Sequence, residues 1–196
     1  MKVELGLLLK KDYKYYENII RKNNKIIYEN VIETWDYYYT NKNLNGLTEN
    51  QIKESCIRQR NVKFLNEDEI KHSLQNMKNI NKENSWYLND ELEKELLEIN
   101  KLGFYKFDPL STHKIDYQLR LENMKSALQF QLIDNIGLVL YYDNPDYYDL
   151  EEKEQRKKLI DELNSYGFDF KYTDLGVDKL RTLYCGRLKF SLNQNS

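Results

Sequence analysis

The sequence predicts a single α+β domain built on an antiparallel sheet. Several segments alternate apolar and polar residues with period two, as half-buried strands do. Others repeat apolar residues at helical spacing between capping residues. Two prolines and seven glycines in 196 residues leave no Pro/Gly/Ser-rich linker that would divide the chain. A chain of this length can bury a core of its own. The alternation admits two architectures, an open antiparallel sheet with one wet face or a barrel with a polar interior.

The elements follow in order. Val3 to Leu9 is an apolar run and reads as a strand. Asp12 to Asn30 reads as a helix, with Asp12 at its start and Tyr16, Ile19 and Ile20 on one side. Val31 to Thr40 is β-branched and aromatic, hence a strand. Asn41 to Asn50 is polar with Gly46 and reads as a loop, and Glu54 to Phe64 is a partner strand. Asn66 with Glu69 forms a capping-box pattern, and Ile70, Leu74 and Met77 follow at helical spacing, so a helical insertion is expected at about 66–80. Trp86 to Leu88 reads as a short strand. Asn89 caps a helix carrying Leu92, Leu96 and Ile99 on one face, stopped by Gly103.

Thr112 to Leu121 alternates: Ile115, Tyr117 and Leu119 point one way, Lys114, Asp116, Gln118 and Arg120 the other. Leu128 to Asp134 alternates as well, and Leu138 to Tyr142 is an apolar strand. Glu151 to Tyr166 is a helix with Leu159, Ile160 and Leu163 inward and Gly167 at its end. Phe168 to Tyr172 and Leu183 to Leu192 read as final strands, with a short helix near Val177 to Leu180.

Composition excludes several classes. Thirty Lys and Arg against 32 Asp and Glu give a formal charge of -2, without the basic excess of a dedicated duplex nucleic-acid binder. The hydrophobic fraction is low at 40%, yet 17 tyrosines argue for a folded core rather than disorder. No segment approaches the roughly 20 apolar residues of a membrane helix. The short run Leu5 to Leu9 is no secretory h-region, so a cytoplasmic location is expected. Cys56 and Cys185 are too few for a disulfide framework and read as buried thiols. Of the two histidines, His113 falls on the apolar face of its strand and His72 on the expected charged helix. There is no zinc spacing, P-loop, dinucleotide fingerprint or nucleophile elbow. The tyrosines suit half-buried strands and interfaces better than base stacking.

The sharpest local feature is Arg58-Gln59-Arg60. On a strand the two guanidiniums share a face and repel, unless an anion sits between them. Arginine binds phosphate bidentately, so the pair suits a phosphate clamp. The plainer reading is two surface arginines paired with Asp or Glu on a neighbouring strand. Lys114, Asp116, Arg120, Gln129 and Gln131 form a second set, on the polar face of later strands. They line a cationic cavity if they face the arginines, and an ordinary wet face if they meet solvent.

The order of these features resembles the CYTH superfamily, the triphosphate tunnel proteins that include class IV adenylyl cyclases and thiamine triphosphatases. The likeness rests on ELLEINKLGF from Glu95, Lys114 in a strand, LQFQLIDNIG, LVLYYD and the helix KKLIDELNSYGF. Upstream, Trp35 to Thr40 is similar to the family's YYDT-like strand and Arg58-x-Arg60 to its RxR strand. The resemblance implies an antiparallel eight-stranded tunnel-like β-barrel with flanking helices. It implies that Arg58, Arg60, Lys114 and Arg120 grip a triphosphate, and that Glu4 and Asp143 hold Mg²⁺ or Mn²⁺ where catalysis is retained.

This chain departs from the family pattern where metal chemistry resides. The first-strand E-x-E-x-K motif keeps only Glu4; Gly6 and Leu8 hold the other two positions. The late E-x-E strand reads Tyr141-Tyr142-Asp143. The expected function is therefore binding of a triphosphate-bearing ligand (a nucleotide, tripolyphosphate or an RNA 5′-triphosphate), with metal-dependent hydrolysis or cyclisation weakened or lost. The alternative is a non-catalytic protein-interaction module on the same scaffold, with a protein partner or a homodimer.

Overall fold

A computed structural model describes residues 3–44, 51, 54–65, 67–76, 86–87, 89–108, 111–134, 136–167 and 172–174. The elements are β1 (Leu5–Leu9), α1 (Tyr13–Asn23), β2 (Ile26–Thr40), β3 (Cys56–Phe64), β4 (Ile70–Asn76), β5 (Trp86–Tyr87), α2 (Asn89–Lys101), β6 (Tyr105–Lys106), β7 (Thr112–Leu121), β8 (Leu128–Ile133), β9 (Gly137–Tyr142), α3 (Glu152–Ser165) and β10 (Tyr172–Asp174). A short 3₁₀ turn, Pro145–Tyr147, precedes α3. The class is α+β, an antiparallel sheet with flanking helices, as expected.

The described residues fall into two compact units: residues 1–32 with 114–182, and a unit around Glu33–His113. Strands β2 and β7 run from one unit into the other. In the first unit the strand order is β10-β1-β9-β8-β7. In the second it is β2-β3-β4-β5, with β6 pairing with β2 off this path. Among the described residues, β10 and β5 end the strand order, each with one neighbour.

The first unit is held by one apolar layer. Leu5, Leu7 and Leu9 of β1 alternate toward it, joined by Leu119 and Leu121 of β7, Leu128 and Phe130 of β8, and Leu138, Leu140 and Tyr142 of β9. Tyr16 and Ile20 of α1 and Leu159 and Leu163 of α3 complete it. Each such side chain contributes about 1.5–3 kcal/mol on burial. Tyr13 stacks on Tyr117 with ring centroids 3.8 Å apart, so these tyrosines serve as packing surface.

Two expected boundaries move. The helix from Asp12 ends at Asn23, because Asn24 turns extended and its N–H returns to the Ile20 carbonyl. Strand β2 then begins at Ile26, where β-branched and aromatic residues start. The expected helix at 66–80 is overturned over Ile70–Asn76, which is strand β4. It pairs antiparallel with β3 from Ile57↔Asn76 to Lys63↔Ile70. That ladder pairs seven residues of each strand and outweighs a helical spacing of only three apolar residues. Asn66 and residues 77–80 lie outside the described residues, as do Phe168, Val177 to Leu180, Cys185 and Leu183 to Leu192. The helix at Asn89 is as expected, with Leu92 and Ile99 buried and Gly103 at φ 81° just beyond its end.

Candidate functional site

In the second unit, strand alternation sorts the polar residues onto two faces. The β3/β4 register sets Arg58 opposite Gln75 and Arg60 opposite Ser73 on one face, and Gln59 opposite Leu74 and Asn61 opposite His72 on the other. Both faces carry buried polar groups, including Asp36, Gln59, His72, Ser73 and Gln75.

The second of these faces carries a hydrogen-bonded chain, in which His72 Nε2 is buried without a partner among the described residues. The Tyr39 hydroxyl donates to Gln59 Oε1 at 2.8 Å, and Gln59 Nε2 donates to Asn61 Oδ1 at 2.9 Å. His72 Nδ1 meets the same Asn61 oxygen at 2.9 Å. His72 is thus a buried strand residue, not part of a charged helix. His113 is likewise more than an apolar-face residue: its Nε2 lies 2.8 Å from Glu33 Oε1, and its ring stacks on Trp35.

The Arg58/Arg60 face holds its two arginines in unlike settings. Arg60 closes a bidentate fork on Asp36 of β2, Nε to Oδ1 at 2.7 Å and Nη2 to Oδ2 at 2.6 Å. The Asp36 side chain is 6% exposed and that of Arg60 27%, so this is a largely buried pair and not a surface one. Arg58 differs. Its Nη2 donates to the Gln75 amide oxygen, and it hydrogen bonds the Tyr38 phenol. Both partners are neutral. Its Nε is buried and has no partner among the described residues. Burial and the neighbouring Arg60 charge hold the Arg58 guanidinium below its ordinary pKa. It stays charged at any working pH. Burial, reinforced by Asp36, pushes the Tyr38 phenol up to about 12 against the pull of both arginines.

In the first unit, the face opposite the apolar layer carries Lys114, Asp116, Gln118, Gln129, Gln131 and Tyr141. Register aligns Gln118 with Gln129 and Asp116 with Gln131. Gln129 in turn faces Tyr141. The amides of Gln118 and Gln131 donate to Asp116 Oδ2 at 3.2 and 3.4 Å. Asp116 Oδ1 is buried without a partner among the described residues. Burial raises the Asp116 pKa, while Gln118, Lys114 and Gln131 oppose the shift.

Lys114 and Arg120 share β7 but sit six residues apart, about 20 Å along a strand. Arg120 is exposed. One phosphate group therefore cannot touch both. Glu4 and Asp143 each lie one residue beyond the β1/β9 ladder, which ends at Leu5↔Tyr142. Asp143 accepts from the Tyr148 hydroxyl. No group of three or more His, Cys, Asp or Glu that could hold a metal occurs among the described residues. Two carboxylates suit at most one hard cation completed by phosphate oxygens and water.

Sequence reasoning missed Asp36, whose role depends on a partner 24 residues away. Its only signal is an acid inside an aromatic strand, Trp35-Asp36-Tyr37.

The chain matches no protein-family model and no curated protein sequence. Solved structures with a similar chain path include the PH1819 protein of Pyrococcus horikoshii, at 15% identity, TM-score 0.49, covering 87% of this chain and 93% of that one. The PH1012 protein of the same organism is 16% identical at TM-score 0.46, covering 87% and 94%. A Vibrio parahaemolyticus protein provisionally named an adenylate cyclase is 13% identical at TM-score 0.47, covering 88% and 94%.

Proposed function

We propose that this chain binds a phosphate-bearing ligand through the Arg58 face, with metal-dependent catalysis weakened or lost. The observation that carries it is Arg58 itself. A charged guanidinium sits largely buried on neutral partners, with a buried Nε–H unsatisfied among the described residues. Asp36 attracts the Arg58 charge but is itself engaged by Arg60, so burial and the Arg60 charge still prevail, and a bound anion offsets that cost. The guanidinium fork matches two phosphate oxygens. The CYTH-like order of motifs narrows the ligand to the triphosphate class: a nucleotide, tripolyphosphate or an RNA 5′-triphosphate. Lys114, in the first unit, is proposed as a phosphate-contacting cation in its own right. Arg120, exposed and distant along β7, has the weaker claim. Glu4 and Asp143 would hold one Mg²⁺ or Mn²⁺. The positions of Gly6, Leu8 and Tyr141 supply none of the charged groups that the resemblance calls for.

The competing reading is an interaction module without ligand. The exposure of Leu97 (59%) and Leu102 (71%) at α2 favours it. Thermal unfolding with tripolyphosphate or ATP, with and without Mg²⁺ or Mn²⁺, separates the two. A ligand at 100 times its Kd adds about 2.7 kcal/mol to stability. The expected result is a shift in the wild type that Arg58→Ala abolishes. No shift with any anion would leave the interaction module as the better reading.

A further inference from the structure

We propose that Asp36 sets the charge of the ligand this face accepts, by occupying the fork of Arg60 and leaving Arg58 as the one receptive clamp. This rests on the anion-binding reading above and deepens it.

The argument compares two like groups in unlike settings. Arg58 and Arg60 project from one face of β3, about 7 Å apart along the strand. On Arg60, the Nε and Nη2 edge that would take two phosphate oxygens already holds both oxygens of Asp36. A carboxylate and a phosphate compete for that edge because they present the same pair of acceptors. On Arg58 the corresponding edge meets an amide at Nη2 and nothing among the described residues at Nε. Asp36 is also the more deeply buried partner of its pair, at 6% exposure against 27%. Summed over Arg58, Arg60 and Asp36, this face offers one net positive charge rather than two.

The site therefore engages a single phosphoryl group strongly, and further phosphates add little affinity here. Asp36 acts as a resident competitor: a polyphosphate gains the second clamp only by displacing it.

The test is calorimetric titration with orthophosphate, pyrophosphate and tripolyphosphate. It compares wild type with Asp36→Asn, Asp36→Asn/Arg60→Gln and Arg58→Ala. Wild type should change affinity by less than tenfold along the series. Asp36→Asn frees a unit positive charge about 7 Å from the bound phosphate and should gain on the order of tenfold, most for tripolyphosphate. The double variant restores one net charge with a neutral amide pair and should return to the wild-type pattern. It also serves if Asp36→Asn alone does not fold. Binding that Arg58→Ala removes but Asp36→Asn leaves unchanged overturns this inference and spares the anion-binding reading. Absence of binding in wild type and Asp36→Asn alike overturns both. Binding seen only in Asp36→Asn supports the competitor role.

Discussion

Gln155 of α3 ties together the backbone that carries the two proposed metal ligands, and its replacement should show this. It is 1% exposed. Its Oε1 accepts from the Val3 N–H at 3.1 Å, one residue before Glu4. Its Nε2 donates to the Leu150 carbonyl at 2.7 Å and reaches the Tyr148 carbonyl at 3.5 Å. Tyr148 in turn donates to Asp143. Gln155→Leu keeps the volume and removes every one of these bonds. The Val3 N–H is then left buried, at about 1–3 kcal/mol. The Leu150 carbonyl belongs to a half-exposed residue, and water recovers part of its bond, so about 1 kcal/mol more is lost. The sum is about 2–4 kcal/mol. In urea, with m near 1–3 kcal/mol/M, the midpoint should fall by about 0.7 M or more at unchanged m. Gln155→Glu adds a sign test. One carboxyl oxygen can still accept from Val3, but the other faces a carbonyl and needs a proton. Its folded pKa must then lie above the unfolded value of about 4.3. The stabilising contribution is complete below that value and is lost as pH rises through the folded pKa. The deficit of Gln155→Glu should therefore shrink on acidification toward pH 4. A loss under about 0.5 kcal/mol for Gln155→Leu, smaller than a typical net hydrogen bond, would refute the reasoning.

Two further outcomes follow from groups that the sheet buries. Burial pushes the Cys56 thiol up to about 11 against a hydrogen bond with Thr40, so it should react with a disulfide reagent at pH 8 only slowly in the native state and promptly in urea, measured on a Cys185→Ser background. Prompt native labelling would contradict the burial of Cys56. The folded pKa of Asp116 is raised above 3.8, so its stabilising contribution is present below 3.8 and lost as pH rises through the folded value. Asp116→Asn should then stabilise the fold at pH 7 and flatten its pH dependence, read by thermal unfolding; a loss at pH 7 would mean that Gln118, Lys114 and Gln131 together compensate the buried charge.

The fold was legible where one face of an element is apolar. In β7 and β8 the alternation of Leu119 and Phe130 with polar neighbours names both the strand and its buried side, and β9 reads as a strand from its apolar run. It failed in the second unit, where burial does not follow hydrophobicity. On β4 the buried side chains are His72, Ser73 and Gln75, while Ile70 is exposed. With polar groups inside and an apolar residue outside, three apolar residues at helical spacing outweighed a strand that only its partner β3 could reveal. The same holds at Asn24, where a helix-compatible stretch is ended by the strand pairing that follows.

The site divides along the same line. That Arg58 and Arg60 share a face follows from a period of two, and needs only the strand to be right. What each arginine does depends on what lies across the sheet, and that information sits in residues 36, 38 and 75. Local spacing treats the two guanidiniums as equivalent. The structure makes them opposites, one neutralised by a buried carboxylate and one left on an amide and a phenol. A clamp of two equivalent arginines would recruit charge in proportion to the ligand's phosphates. A clamp with one arginine already answered recruits a single phosphoryl group and resists the rest. The identity of residue 36, rather than the presence of the arginine pair, is therefore the feature by which chains with this strand arrangement should divide into those whose affinity grows with the ligand's phosphates and those that hold it by one phosphoryl group.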